Sequence, residues 1–114
     1  MAIGLTNIPV TISNGTSLSP QIALGDSALA GISMPAAWDA AAITVQVSTD
    51  GATFQEMQSI SAVVSIAAAA GQYIALDTAI WRGINLIKLR SGTSGAPVNQ
   101  TADRALILVT KRLP

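Results

Sequence analysis

The stretch Ile43–Met57, ITVQVSTDGATFQEM, indicates the fold class of this chain. Ile43, Val45 and Val47 alternate with polar residues, as they do in a β-strand with one buried face. Residues 49–51, Thr-Asp-Gly, predict a turn after this strand, because glycine adopts positive φ and aspartate accepts hydrogen bonds from its own backbone. The stretch therefore predicts an antiparallel β-hairpin.

Short apolar runs separated by glycine, proline, asparagine and aspartate predict further strands on both sides of the hairpin. Pro9 lies inside the first run and places it at the edge of a sheet, since proline cannot donate a ladder hydrogen bond. Residues 36–42 are too few for a stable helix and predict at most one short helical turn. We expect an all-β protein of about eight or nine strands, an antiparallel β-sandwich resembling a jelly roll, with strands at residues 8–12, 18–24, 28–34, 43–48, 53–57, 60–66, 72–76, 84–90 and 104–110.

The length of 114 residues is that of a single domain. Residues 1–7 carry apolar side chains without a regular period and are expected to form an N-terminal arm, followed by one sandwich domain over residues 8–114. The first residues lack the basic and apolar regions of a signal peptide. The longest small-apolar run, residues 62–70, is too short to cross a bilayer. We expect a protein made in a cytoplasm that has no membrane partner.

Charged residues make up 11% of the chain, against roughly 25% in an average soluble domain. A surface with so few charges suits packing against neighbours. The formal net charge is zero, but all six basic residues lie in the last third of the chain and most acidic residues in the first half. Two interpretations are open. The molecule has a basic face and an acidic face, or strands from the two halves of the chain pair in the sandwich and bring basic and acidic residues together. Six bases without interleaved aromatic residues do not predict a nucleic-acid partner.

The chain contains no cysteine and no histidine, which excludes disulfides, thiolate catalysis and imidazole metal ligands. The remaining residues form no catalytic constellation, so we expect a protein that is not an enzyme and holds no metal or cofactor. The sequence leaves two roles open for Asp26 and Asp50. Each could hold a calcium ion together with loop carbonyls, or each could form an Asx turn, since no D-x-D-x-D-G loop is present.

Four aromatic residues are present: Trp38, Phe54, Tyr73 and Trp81. Trp38, Tyr73 and Trp81 are candidate glycan contacts, because exposed aromatic rings can stack on sugars. The alternative is that Trp38 and Trp81, which both lie at corners beside small residues, fill the two open ends of the core.

Three segments make the chain resemble a known group of proteins: WDAAAITVQVSTDGATFQEM at 38–57, GQYIALDTAIWRGINLIKLRSGTSGAPVNQ at 71–100 and TADRALILVTKR at 101–112. The chain is similar to small proteins of tailed bacteriophages and of the gene transfer agents of alphaproteobacteria. These proteins decorate the capsid exterior or form head-spike bases or head fibres. The resemblance spans residues 8–112 and lies in the order of strands and turns. The turn S-x-D-G-x-x-F, from Ser48 to Phe54, also occurs in discoidin-like and carbohydrate-binding sandwiches.

The resemblance implies a non-enzymatic structural virion protein on the capsid exterior, made in the bacterial host cytoplasm. Its implied partners are the major capsid protein, copies of itself as a homotrimer or pentamer, and a fibre protein. The alternatives are a carbohydrate-binding module for host-surface glycans and a tail or baseplate adaptor. Contacts with the capsid or between subunits are expected at Ile3, Leu5, Arg82, Lys88, Arg90, Arg104, Lys111 and Arg112.

Overall fold

A computed structural model describes residues 4–60 and 62–113 and shows an all-β sandwich, as the sequence predicted. A single 3-10 helix, η1 (Thr78–Trp81), lies within these residues. The strands in the same residues are β1 (Leu5–Ile12), β2 (Ile22–Ala23), β3 (Ser27–Ser33), β4 (Ile43–Ser48), β5 (Phe54–Glu56), β6 (Gln58–Ser59), β7 (Ala62–Val63), β8 (Ser65–Ile66), β9 (Tyr73–Ala75), β10 (Leu86–Ser91) and β11 (Arg104–Arg112).

Most of the strands form two antiparallel sheets. Sheet A has the order β1-β11-β3-β9, and sheet B has the order β2-β10-β4-β5, with β8 also paired with β4. The edge position of β1 confirms the prediction made from Pro9, and the pairing of β4 with β5 confirms the predicted hairpin. No helix in the described residues is long and apolar enough to cross a bilayer.

The core lies between the two sheets and is filled from alternate strand positions, because successive side chains of a strand point to opposite faces. Trp81, at the end of η1, is fully buried in it. Its indole Nε1 is the one buried side-chain nitrogen or oxygen of the described residues that has no hydrogen-bond partner. Aliphatic side chains supply most of the remaining core, among them Val10, Ile12, Leu29, Ile32, Leu106 and Leu108 from sheet A and Ile22, Ile43, Val45, Ile66, Ile87 and Leu89 from sheet B.

The N-terminal arm predicted for residues 1–7 is corrected for residues 5–7. These residues belong to β1, because the antiparallel pairing with β11 continues until Leu5 lies opposite Lys111. Gly4 precedes the strand, and its carbonyl accepts a hydrogen bond of 2.7 Å from the Arg112 amide. Residues 1–3 lie outside the described residues.

The helical turn predicted at residues 36–42 is not formed. This segment is irregular, and the Trp38 indole donates a 3.1 Å hydrogen bond to the Ala41 carbonyl. The 3-10 helix forms at η1 instead, where the Asp77 carboxylate caps the first turn by accepting a 3.0 Å hydrogen bond from the Ala79 amide. Local alanine propensity at 36–42 was therefore outweighed by the contacts that this segment makes with distant residues.

Two predicted strands are much shorter than expected. The strand at 18–24 is reduced to β2 and an isolated bridge between Leu18 and Arg90, with Pro20 between them, which has no amide hydrogen to donate. The strand at 60–66 is replaced by β7 and β8, which belong to different sheets.

Strand β5, Met57 and strand β8 follow one after another along the free edge of β4. β5 pairs with β4, the Met57 amide donates a 2.9 Å hydrogen bond to the Val45 carbonyl, and β8 then pairs with the start of β4. Between Met57 and Val64 the chain leaves the sheet. There β6 and β7 pair with each other and with neither main sheet. Strands β6 and β7 thus form a separate two-stranded ribbon.

Candidate interaction surfaces

The outer face of sheet A is uncharged over most of its area. Its central row crosses all four strands and consists of Pro9, Ile107, Ser33 and Tyr73, which the register places side by side. Ile107 and Tyr73 keep 39% and 57% of their surface exposed. We define this face by ten positions: Asn7, Pro9, Thr11, Gly31, Ser33, Tyr73, Ala75, Ala105, Ile107 and Val109.

Tyr73 lies flat on this face because Gly31 makes room for it. Gly31 is on β3, two residues before Ser33, the register partner of Tyr73. A Cβ atom added at Gly31 would overlap the Tyr73 ring and hydroxyl. The aromatic ring therefore covers the backbone of the neighbouring strand, which gives a flat and partly apolar surface at the edge of the sheet.

The outer face of sheet B is polar, and its charged side chains contact one another or an aromatic ring. The Arg90 guanidinium forms a two-pronged salt bridge with Glu56, in which Nη1 donates to Oε2 at 2.9 Å. Arg90 Nε also donates to the Thr44 hydroxyl at 3.1 Å. The hydrogen bonds from Arg90 lower the pKa of Glu56 below its ordinary value. Lys88 lies over the Phe54 ring at 4.3 Å from its centre.

A second charged cluster joins two loops at one end of the sandwich. Arg104 Nη2 donates to Asp39 Oδ1 at 2.6 Å, and this hydrogen bond is the main cause of the lowered pKa of Asp39. The buried Gln100 side chain accepts from the Asp39 amide at 2.8 Å and donates to the Ser91 hydroxyl at 2.7 Å. The cluster holds the irregular segment 36–42 against the loop that precedes β11, so its role is structural.

These contacts favour the second interpretation of the charge distribution, in which the fold mixes the signs. Arg90, Arg104 and Arg112, from the last third of the chain, lie beside Glu56, Asp39 and Asp26, from the first half. The Arg112–Asp26 pair is exposed, with 4.0 Å between its charged atoms.

The basic residues predicted as one contact surface are therefore distributed over the molecule. Arg90 is buried and Arg104 is partly buried, so neither presents its charge to a partner. Lys88 is half-buried on sheet B, whereas Arg82, Lys111 and Arg112 are exposed. Leu5 is exposed at the end of the outer face of sheet A, opposite Lys111. The prediction for Ile3 falls outside the described residues.

Asp50 forms an Asx turn. Its Oδ1 accepts hydrogen bonds from the Thr53 amide at 2.9 Å and the Ala52 amide at 2.8 Å, and Ser48 adds a third. The bonds from Thr53 and Ala52 are the largest causes of the lowered pKa of this carboxyl. Residues 4–60 and 62–113 contain no pocket and no group of three or more side chains suited to bind a metal.

The aromatic residues do not form a common ridge. Trp81 is fully buried, which corrects its assignment as a glycan contact and agrees with the alternative that it fills the core. Trp38 is half-buried against the core. Tyr73 is the one of the three candidates that is strongly exposed. A sugar could therefore stack on a single ring on the outer face of sheet A.

Comparisons with protein-family models, with curated proteins and with solved structures found no match for this chain.

Four large hydrophobic residues that are exposed in the described part of the chain were not selected from the sequence: Ile60, Val63, Ile80 and Ile107. Ile107 lies in the run RALILVT, where apolar residues occupy both faces of the strand. This pattern by itself indicates that the outer face of the strand is apolar. Ile60 was assigned to a strand, and nothing in its local sequence indicates a position outside both sheets.

Proposed function

We propose that this chain is a non-enzymatic structural protein of the virion exterior that docks on the major capsid protein of a tailed phage or gene transfer agent and packs beside copies of itself. Two lines of support exist. One is the resemblance in strand and turn order. The other is the uncharged outer face of sheet A, which is the observation that carries the proposal.

The physical argument is one of desolvation. Burying an exposed charge against a partner is costly, whereas burying neutral and aliphatic side chains is favourable. The ten positions that define the outer face of sheet A include no charged residue, and its exposed isoleucine and tyrosine add apolar area. Lys111 lies at the end of this face, opposite Leu5. Arg90 and Arg104 are meanwhile held by acidic residues of the same chain, whereas Arg112 and Asp26 form an exposed pair. The face is therefore suited to contact with another protein surface.

The test is co-sedimentation of the purified protein with empty capsid shells of the particle whose genome encodes it. Ile107→Lys places a charge at the centre of the face and should weaken binding by at least about tenfold, because the lysine must be desolvated. The matched control is Ile80→Lys, since Ile80 is equally exposed, at 40% against 39%, but lies on η1.

Binding of the unaltered protein and of Ile80→Lys, with loss for Ile107→Lys, would support the proposal. A protein that fails to bind shells and remains monomeric at high concentration would refute it.

The carbohydrate-binding alternative depends on Tyr73, which is exposed and flat on the sheet. It predicts binding on a glycan array that Tyr73→Ala abolishes and that Ile107→Lys on the neighbouring strand reduces less. Shell binding without glycan binding would exclude this alternative.

A further inference from the structure

The turn that follows β1 contains the one asparagine of the chain that a glycine follows, Asn14–Gly15. Both residues are exposed. Gly15 has a φ angle of 80°, and apart from its chain neighbours no heavy atom lies within 4 Å of the position that a Cβ would take. The Thr16 amide donates a 3.0 Å hydrogen bond to the Ser13 carbonyl and closes the turn. Solvent therefore has access to both residues of the pair.

An asparagine that precedes a glycine can react with its own backbone. A base removes the proton of the glycine amide, and the amide nitrogen attacks the side-chain carbon Cγ of the asparagine. A C–N bond forms, the bond from Cγ to the side-chain nitrogen breaks, and that nitrogen takes up a proton and leaves as ammonia. Water then opens the cyclic imide at one of its two carbonyl groups, which gives an aspartate or an isoaspartate. Glycine favours the attack because it has no Cβ to obstruct the nitrogen.

The other three asparagines lack this arrangement. Each precedes a residue whose large side chain crowds the attacking nitrogen: Asn7 before Ile8, Asn85 before Leu86 and Asn99 before Gln100. The Asn85 side chain also accepts a 2.9 Å hydrogen bond from the Gly25 amide. The reaction is therefore expected at one position of the chain.

The fold holds the attacking nitrogen in a hydrogen bond. The Gly15 amide donates to the Gln100 carbonyl at 2.8 Å, and the Gln100 amide donates back to the Thr16 carbonyl at 2.9 Å. Gln100 is buried, which fixes the position of this acceptor. The Asn14 amide donates a further hydrogen bond, of 2.8 Å, to the Asp103 carboxylate. Because the Gly15 amide must leave Gln100 before its nitrogen can attack, the reaction requires local opening of the turn.

We propose that Asn14 is a site of spontaneous deamidation, which the hydrogen bonds from the turn to Gln100 and Asp103 restrain in the folded protein. The inference does not depend on the proposed function. The product adds a negative charge to residues 1–25, which contain no charged side chain, and brings a second carboxylate near that of Asp103. Repulsion between the two carboxylates weakens the attachment of the turn, so the modified protein should melt about 4 °C lower.

The reaction is measured by peptide mapping with mass spectrometry after storage at mildly alkaline pH. One sample is kept folded in buffer and the other unfolded in guanidinium chloride. Product should form at Asn14 before any forms at the other three asparagines. The folded protein should react at least about tenfold more slowly than the unfolded chain, because the turn must open first. In the unfolded chain, Gly15→Ala should slow the reaction at least about tenfold, because the methyl group crowds the nitrogen.

Two variants test the restraint in the folded protein. Asp103→Ala removes the acceptor of the Asn14 amide and should accelerate the reaction by about 3- to 10-fold. The matched control is Asp77→Ala, which removes another exposed carboxylate that accepts a hydrogen bond from a backbone amide, at 3.0 Å on η1. This control should react at the rate of the unaltered protein. If Asp103→Ala failed to fold, the comparison of the folded and unfolded unaltered protein would decide.

Four results would overturn the inference. The site would be wrong if the unfolded chain gave no product at Asn14, or if the other asparagines reacted equally fast. The restraint would be wrong if the folded protein reacted as fast as the unfolded chain, or if folded Asp103→Ala reacted no faster than Asp77→Ala. Each of these results would leave the proposed function standing, because binding to capsid shells is measured separately.

Discussion

Arg90 occupies an outward-facing position of the central strand β10 and is nevertheless buried, with 6% of its surface exposed. Its charge is stabilised by Glu56 and by the Thr44 hydroxyl. Glu56 is the more accessible partner, with 32% of its side chain exposed. The two ends of this salt bridge should therefore respond differently to mutation, because only the arginine would be left buried without a counter-charge.

We expect Glu56→Ala to lower the free energy of unfolding by about 2–3 kcal/mol and Arg90→Met by about 1 kcal/mol. Methionine fills much of the arginine volume and leaves Glu56 free to be hydrated. Urea denaturation of both variants measures the difference. If the two variants lost the same free energy of unfolding, or if Arg90→Met lost more, the charge of Arg90 would not depend on Glu56 for its stabilisation.

At the scale of elements, β9 is attached to sheet A through β3 alone. This strand has three residues, and its pairing with β3 is reinforced by the Tyr73 ring over Gly31. A glycine in the interior of a strand weakens the sheet unless a neighbouring side chain covers it, which the tyrosine does here. Gly31 and Tyr73 thus act as a pair.

Gly31→Ala should destabilise the protein by about 1–3 kcal/mol, because the new methyl group displaces the tyrosine ring. In the Tyr73→Ala background the same substitution should cost clearly less, since the ring is gone. A double-mutant cycle in urea measures this coupling. Additive effects would mean that the ring does not rest on Gly31 in solution.

At the scale of the whole molecule, the salt bridges connect parts of the chain that are distant in sequence. Arg90 and Glu56 are 34 residues apart, and Arg104 and Asp39 are 65 apart. The hydrogen bonds from these arginines lower the pKa of Glu56 and of Asp39, and backbone hydrogen bonds lower that of Asp50. With no histidine in the chain, no side chain of ordinary pKa titrates between pH 5 and 8.

The pH dependence of stability follows from the sign of these shifts. A carboxyl group whose pKa is lower in the folded state stabilises the protein above its unfolded pKa, and the contribution is lost as the pH falls through the folded value. We expect thermal unfolding midpoints that are constant from pH 8 to about pH 5.5 and fall below about pH 4.5. Glu56→Gln should reduce the slope of this fall. A decline that begins above pH 6 would contradict the assignment.

The candidate surfaces could be predicted from the sequence only in part. Leu5 and Tyr73 were selected and are exposed, whereas Trp81 was selected and is buried. Solvent exposure depends on which elements pack over a residue, so a tryptophan at a corner can be interior or exterior with the same local sequence. For the same reason, a count of basic residues did not indicate which of them would be paired.

The sequence by itself determined that the chain is all-β, where its main hairpin lies and that β1 is an edge strand. Each of these depends on the period of side chains along one strand or on a turn of a few residues, which are local properties. Only the tertiary structure decided that Pro9, Ile107 and Tyr73 share a row, that Arg90 meets Glu56, and that Ile60 lies outside both sheets. These features arise from pairing between strands far apart in the chain, and strand pairing is fixed by the packing of the whole core rather than by neighbours in sequence.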